Sequence, residues 1–340
     1  MKTLKKLAFD AHAILFIAVL LMGTASSCRS KSDGIVTLIA VDNSYDSQRF
    51  HNAMAKLIIE NAFEGYELTF STASTTMNYE SMKNGDIDIS METWTDNFAT
   101  YPDDIRDGII INVGVVAEDS YQGLYVPRYV IEGDPSRGIA PMAPGLRSVE
   151  DLLRYPHVFP DDESPSRGRI YGSIPGWKAD MILQSKYHYY GLDQSFNYMR
   201  LGSEASLFAS LMSAHNLGQA WVGYCYEPTW IAGKLDLVLL EDAPYEPVAF
   251  HEGKTAFSSQ QLMIISHSSF PAKAPEIYGF LQNFSTGRAL ISKALAYLDE
   301  SRASHDEVAV WFAKTHDEML DDWLPAENAR RLREYLSQRP

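Results

Sequence analysis

A mostly apolar run at residues 35–41 stops at the turn-forming Asp42-Asn43-Ser44, which predicts a buried strand. The period then changes. Phe50, Met54, Leu57 and Ile58 recur at helical spacing, and residues 68–70 return to a strand after Gly65. Met82-Lys83-Asn84-Gly85 breaks the chain before a second apolar segment at residues 87–91. Strands alternating with helices predict an α/β fold with helices on the faces of a parallel sheet. In such sheets ligands sit beyond the carboxyl ends of the strands, where residues 44–46 and 93–97 fall.

Gly and Pro punctuate residues 132–165 as a long irregular connection. Beyond it the pattern predicts a strand at 169–173, a helix at 179–190, a helix at 204–215 opened by Ser203, and a strand at 235–240. A strand at 262–266 and helices at 274–284, 288–298, 306–315 and 325–337 complete the chain. This order predicts one lobe from residues 35–127 and 241–340, interrupted by a second lobe at 128–240.

The 340 residues, 46% hydrophobic and 21% charged, suffice for one large core or two moderate ones. A formal net charge of −15 without a long basic run argues against a nucleic-acid partner. At the amino terminus, Lys2, Lys5 and Lys6 precede the apolar stretch 13–22 and the small residues 23–27, the pattern of a secretory signal over residues 1–27. Ten apolar residues span only about half a bilayer. Cys28, directly after the small residues, resembles the lipid-bearing cysteine of bacterial lipoproteins and would anchor the exported chain through a polar tether, residues 28–34. Cys225 lies far away between two tyrosines and reads as a small packing residue.

No nucleophile elbow, Walker loop, dinucleotide fingerprint or zinc-protease motif occurs, and no two histidines stand at ligand spacing. Neither an enzyme, a metal site nor a cofactor is expected. The positive signal is aromatic residues in loops. Trp94 follows the strand at 87–91, Trp177 sits in Ile174-Pro175-Gly176-Trp177, and Tyr224, Tyr226 and Trp230 crowd one segment. Trp221, Trp311 and Trp323 lie in apolar contexts and read as core. A quaternary ammonium has no N–H to donate, so ring quadrupoles and dispersion must hold it. The helix beginning near Lys178 and Ala179 offers free amides to a carboxylate on the same ligand. Aromatic plates also bind sugars, so the rings alone leave both ligand classes open.

Four segments together carry a resemblance: Gly85-Asp86-Ile87-Asp88 through Met91-Glu92 to Trp94; Gln122-Gly123-Leu124-Tyr125-Val126-Pro127; Gly168 to Trp177; and Glu227-Pro228-Thr229-Trp230. They resemble the substrate-binding proteins of glycine betaine ABC importers, over nearly the whole chain. The resemblance implies a two-lobed type II periplasmic-binding fold with a ligand cleft between lobes, and a membrane permease with its ATPase as partners. It also implies an aromatic cage of Trp94, Trp177 and Tyr226, the last standing where glycine betaine binders often carry tryptophan. Related choline binders place an aromatic residue after the first strand and a tyrosine after the Val-Pro step, which makes Tyr45 and Tyr129 secondary candidates. Glycine betaine or a close relative is the first ligand expected, choline or carnitine the second. A carbohydrate-binding lipoprotein and a secreted hydrolase are the readings from other classes.

Overall fold

The computed structural model describes residues 34–339. The expected signal at residues 1–27 and the candidate lipidation site Cys28 lie outside the described residues. Among the described residues nine strands carry the fold: β1 (Val36–Asp42), β2 (Tyr66–Thr72), β3 (Ile89–Thr93), β4 (Ile110–Pro127), β5 (Gly168–Tyr171), β6 (Phe196–Met199), β7 (Gly223–Glu227), β8 (Leu237–Leu239) and β9 (Gln260–His267).

The first sheet runs β2-β1-β3-β9-β4. Its β1 pairs in parallel with β2 and β3, as the strand-helix alternation predicts, while β9 is antiparallel to both β3 and β4. Helix α1 (Asp46–Ala62) packs on it. The periodic residues Phe50, Met54, Leu57 and Ile58 are buried, and so are the polar Gln48, His51 and Asn52. Polar burial on this helix has a cause: Gln48 donates to the Glu92 carbonyl at 2.9 Å, Asn52 donates to the Val41 carbonyl at 2.8 Å, and His51 pairs with Glu92 at 2.8 Å, while helices His305–Thr315 and Ala326–Ser337 pack on the same helix. Phe50 meets Phe312 edge-on there, and Asn328 donates to the Ala62 carbonyl.

The second sheet comprises β6, β5, β7, the far half of β4, and β8. Helices α2 (Lys178–Tyr189) and α3 (Glu204–Leu217) belong to this part of the chain, α3 with Ser203 accepting from the Ser206 amide as its N-cap. β4 therefore serves both sheets. Ser120 still pairs with Gln260 of β9, whereas Tyr121 pairs with Glu227 of β7. The change of partner falls inside the strand rather than at residue 127, at a register irregularity between Ala117 and Ser120 where Asp119 has a φ of +51°. The segment after β8 also stays with the second sheet beyond residue 241: the buried Lys186 of α2 pairs with Asp242 and donates to the Thr255 carbonyl at 2.8 Å. Two sheet regions joined through β4 form the two-lobed α/β architecture.

Candidate functional site

β1 and β3 end side by side, and each continues into a loop that turns an aromatic ring toward β7: Tyr45 after β1, Trp94 after β3. From the other sheet, Tyr224 and Tyr226 project from one face of β7, two residues apart as strand alternation requires. Trp177 completes the set from the turn before α2. That turn needs Gly176, whose φ is +95° and whose added Cβ would stand 3.2 Å from Ser74 Cβ.

The five rings are all buried and line one tight cavity of about 50 Å³. They stand mostly edge to face. Trp94 meets Tyr226 at 5.8 Å and 89°, Trp177 meets Tyr226 at 6.0 Å and 77°, and Tyr45 meets Trp177 at 5.4 Å and 80°. Tyr224 lies 6.1 Å from Tyr226 and 6.4 Å from Trp177. Rings set at right angles turn several π faces toward one volume, as a cation without N–H donors requires.

Each polar ring atom has a protein partner. Tyr45 donates to the Glu92 carbonyl at 2.9 Å, Trp94 Nε1 to Glu92 Oε1 at 3.2 Å, and Trp177 Nε1 to the Asn43 carbonyl at 2.9 Å. Tyr224 donates to Gln122 Oε1 at 3.0 Å and Tyr226 to Glu204 Oε1 at 2.5 Å. Burial drives the phenols of Tyr45, Tyr224 and Tyr226 well above their ordinary pKa, so they remain neutral donors.

Two buried carboxylates stand behind the rings. Glu92 accepts from Ser47 at 2.9 Å and pairs with His51 Nδ1 at 2.8 Å, both side chains fully buried. Glu204, in the first turn of α3, accepts from the Asp46 amide at 2.9 Å as well as from Tyr226. Burial, then the nearby Asp46 carboxylate, pushes its pKa up to about 8. Lys178 and Ala179 line the same cavity at the start of α2, a first turn whose amides lack intrahelical acceptors.

The geometry thus brings together Trp94, Trp177, Tyr226, Tyr45, Lys178 and Ala179. Tyr129 is placed elsewhere. Pro127 ends β4, and the short helix Arg128–Glu132 turns the Tyr129 ring under the second sheet, where its hydroxyl donates to the Gln219 carbonyl at 2.7 Å and Arg137 lies over its face. Its role in the site is corrected accordingly. Tyr224 takes a place not assigned from the sequence, although its two-residue spacing from Tyr226 on a strand is a readable signal. Cys225 points to the opposite face and is fully buried, its thiol pushed up to about 12 by burial, which suits packing. Among the described residues, no group of three or more His, Cys, Asp or Glu side chains is placed to hold a metal ion, and no helix is long and apolar enough to cross a membrane.

Relatives share this architecture. The chain is 21% identical over 296 residues to a trimethylamine N-oxide-binding protein of Pelagibacter ubique, covering 82% of this chain and 92% of that one. The fold matches an ABC-transporter choline binding protein solved in complex with choline, with a TM-score of 0.70 at 17% identity, covering 89% of this chain and 98% of that one. It also matches the glycine betaine, L-proline-binding protein ProX of Borrelia burgdorferi, with a TM-score of 0.68 at 17% identity, covering 87% and 99%. Residues 36–315, which contain every ring of the cavity, match the OpuAC family model. The chain belongs to that family, the substrate binding domains of ABC-type glycine betaine transport systems.

Proposed function

We propose that this protein captures glycine betaine or a closely related quaternary ammonium compound outside the cytoplasm and hands it to an ABC permease driven by its ATPase. The observation that carries the ligand class is the cage: Tyr45, Trp94, Trp177, Tyr224 and Tyr226 around one cavity, with their polar atoms already bonded to protein groups. The ammonium end lies among the rings, and the amides at Lys178 and Ala179 receive the carboxylate. Choline is the second reading, favoured by the presence of Tyr45 in the cage. A ligand touching rings of both sheets favours a closed cleft.

A thermal-shift panel tests the ligand class. Glycine betaine, choline, carnitine or trimethylamine N-oxide at a hundred times its Kd stabilises the protein by about 2.7 kcal/mol, while glucose and maltose leave the melting temperature unchanged. A shift with the sugars alone overturns the reading. Residues 1–27 direct export, and Cys28 carries the lipid that retains the protein at the membrane; the basic, apolar and small-residue succession ahead of Cys28 supports both. Labelled fatty acid enters the wild type and not Cys28→Ser. Equal labelling of the two, or none, overturns acylation.

A further inference from the structure

Glu204 is an acid without a neighbouring base. It is buried, and among the described residues no lysine, arginine or histidine forms an ion pair with it. The ionisable groups facing it are Asp46 at the start of α1, Glu92 on β3, and the Tyr226 phenol, the Tyr224 phenol and the Cys225 thiol on β7. The two nearby histidines are committed elsewhere, His305 to Asp46 at 3.1 Å and His51 to Glu92 at 2.8 Å. Yet both oxygens of Glu204 are acceptors at the site itself, one for the Tyr226 hydroxyl and the other for the Asp46 amide of the opposite wall. A closed cleft therefore presses this carboxyl against the back of the cage, with one side chain between it and the cavity.

We infer that Glu204 is the countercharge of the cage, a specificity-determining residue that makes the closed cleft favour a cation over an uncharged molecule of the same shape. The inference rests on the reading of the cavity as an ammonium cage. Closure over a neutral occupant leaves Glu204 beside Asp46 and Glu92 with no positive charge to offset it, so the carboxyl holds a proton, in keeping with its raised pKa. Closure over a quaternary ammonium supplies the positive charge in the proton's place, and the proton passes to bulk water. Discrimination is then linked to pH. Below the pKa of the neutral-occupied state each unit rise favours the cation by up to about tenfold, and the preference levels off above it.

Choline and its uncharged carbon isostere, 3,3-dimethyl-1-butanol, form the test pair, since the cost of closing the cleft cancels in their affinity ratio. Calorimetric titration of choline, with the alcohol measured by competition, is carried out from pH 6 to pH 9. In the wild type the ratio of affinities rises across pH 6 to 8 and then flattens. In Glu204→Gln, which keeps the size and an acceptor oxygen, the ratio is lower by about tenfold at pH 8 and flat with pH, while the aromatic contribution remains. A wild-type ratio that does not change with pH overturns the inference without need of any variant. So does a Glu204→Gln protein that keeps the wild-type slope, since the pH dependence then comes from another group. If neither choline nor glycine betaine binds at any pH, the proposed function falls and this inference with it; strong binding at a pH-independent ratio removes the countercharge alone.

Discussion

The two walls of the cage are held in different ways. On the wall from the first sheet, Tyr45 and Trp94 both bond to Glu92, which is fixed by Ser47 and His51 of the same sheet region. Every partner is local, so nothing on this wall depends on the facing sheet region. On the facing wall, Trp177 bonds across the cleft to the Asn43 carbonyl, and Tyr226 bonds to Glu204, which itself reaches across to the Asp46 amide. The Gly176 carbonyl beside it also accepts from Thr75 of the first region, from the amide at 3.1 Å and the hydroxyl at 3.2 Å. A preformed wall waits for a wall that is finished by closure. Under the proposed closure, ligand recognition and lobe movement meet at this second wall, through hydrogen bonds that cross between the two sheet regions.

Alanine separates the cage from the rest of the aromatic residues with the largest effect. Trp94→Ala or Trp177→Ala costs at least about 2 kcal/mol of betaine binding, roughly thirtyfold, because each is a central buried ring. Trp311→Ala does not, since Trp311 stacks on Tyr297 at 4.2 Å, away from the cavity. Calorimetric titration of folded variants reads this, and losses within twofold at both Trp94 and Trp177 remove the cage.

Phenylalanine tests the difference between the walls. Trp177→Phe keeps a ring but abolishes the bond to Asn43, so it loses about 1 kcal/mol more than Trp94→Phe, whose partner Glu92 retains Ser47 and His51. Small-angle scattering with saturating ligand adds the motion: the wild type contracts fully and Trp177→Phe less so. Equal losses and equal contraction in the two variants erase the distinction between a preformed wall and one finished by closure. The smallest effect belongs to Thr75→Val, which removes the hydroxyl but leaves the amide on the Gly176 carbonyl. It weakens binding by about 0.5 kcal/mol, near twofold; a tenfold loss places the main closure contact at Thr75.

Trp94 and Trp177 were legible because large rings beside turn residues at strand ends have no place in an apolar stripe. Tyr226 followed from the resemblance, whereas Tyr224 needed the recognition that residues 223–227 form a strand with two tyrosines on one face. Tyr129 misled for a physical reason: its position after Val-Pro is local, but its surroundings are set by carbonyls at positions 214 and 219 that no local pattern reveals. Glu204 looked like an ordinary acid in a capped first turn, favourable to the helix dipole. Its partners, Asp46 and Tyr226, are brought to it by the closed fold. The long strand β4 was missed because its polar centre, Glu118-Asp119-Ser120, interrupts the apolar pattern where it passes from one sheet to the other.

That passage also orders assembly. Ser120 faces Gln260 in antiparallel register, so residues 121–259 occupy the place of a hairpin loop between β4 and β9. During synthesis β1, β2 and β3 emerge first, but β3 gains its neighbour β9 only once residue 260 and its successors have been made. Every strand of the second sheet is by then available. The inserted sheet is thus the first that can close, while the earliest strands of the chain wait with an open edge, the part of the nascent protein most in need of protection from pairing with another chain.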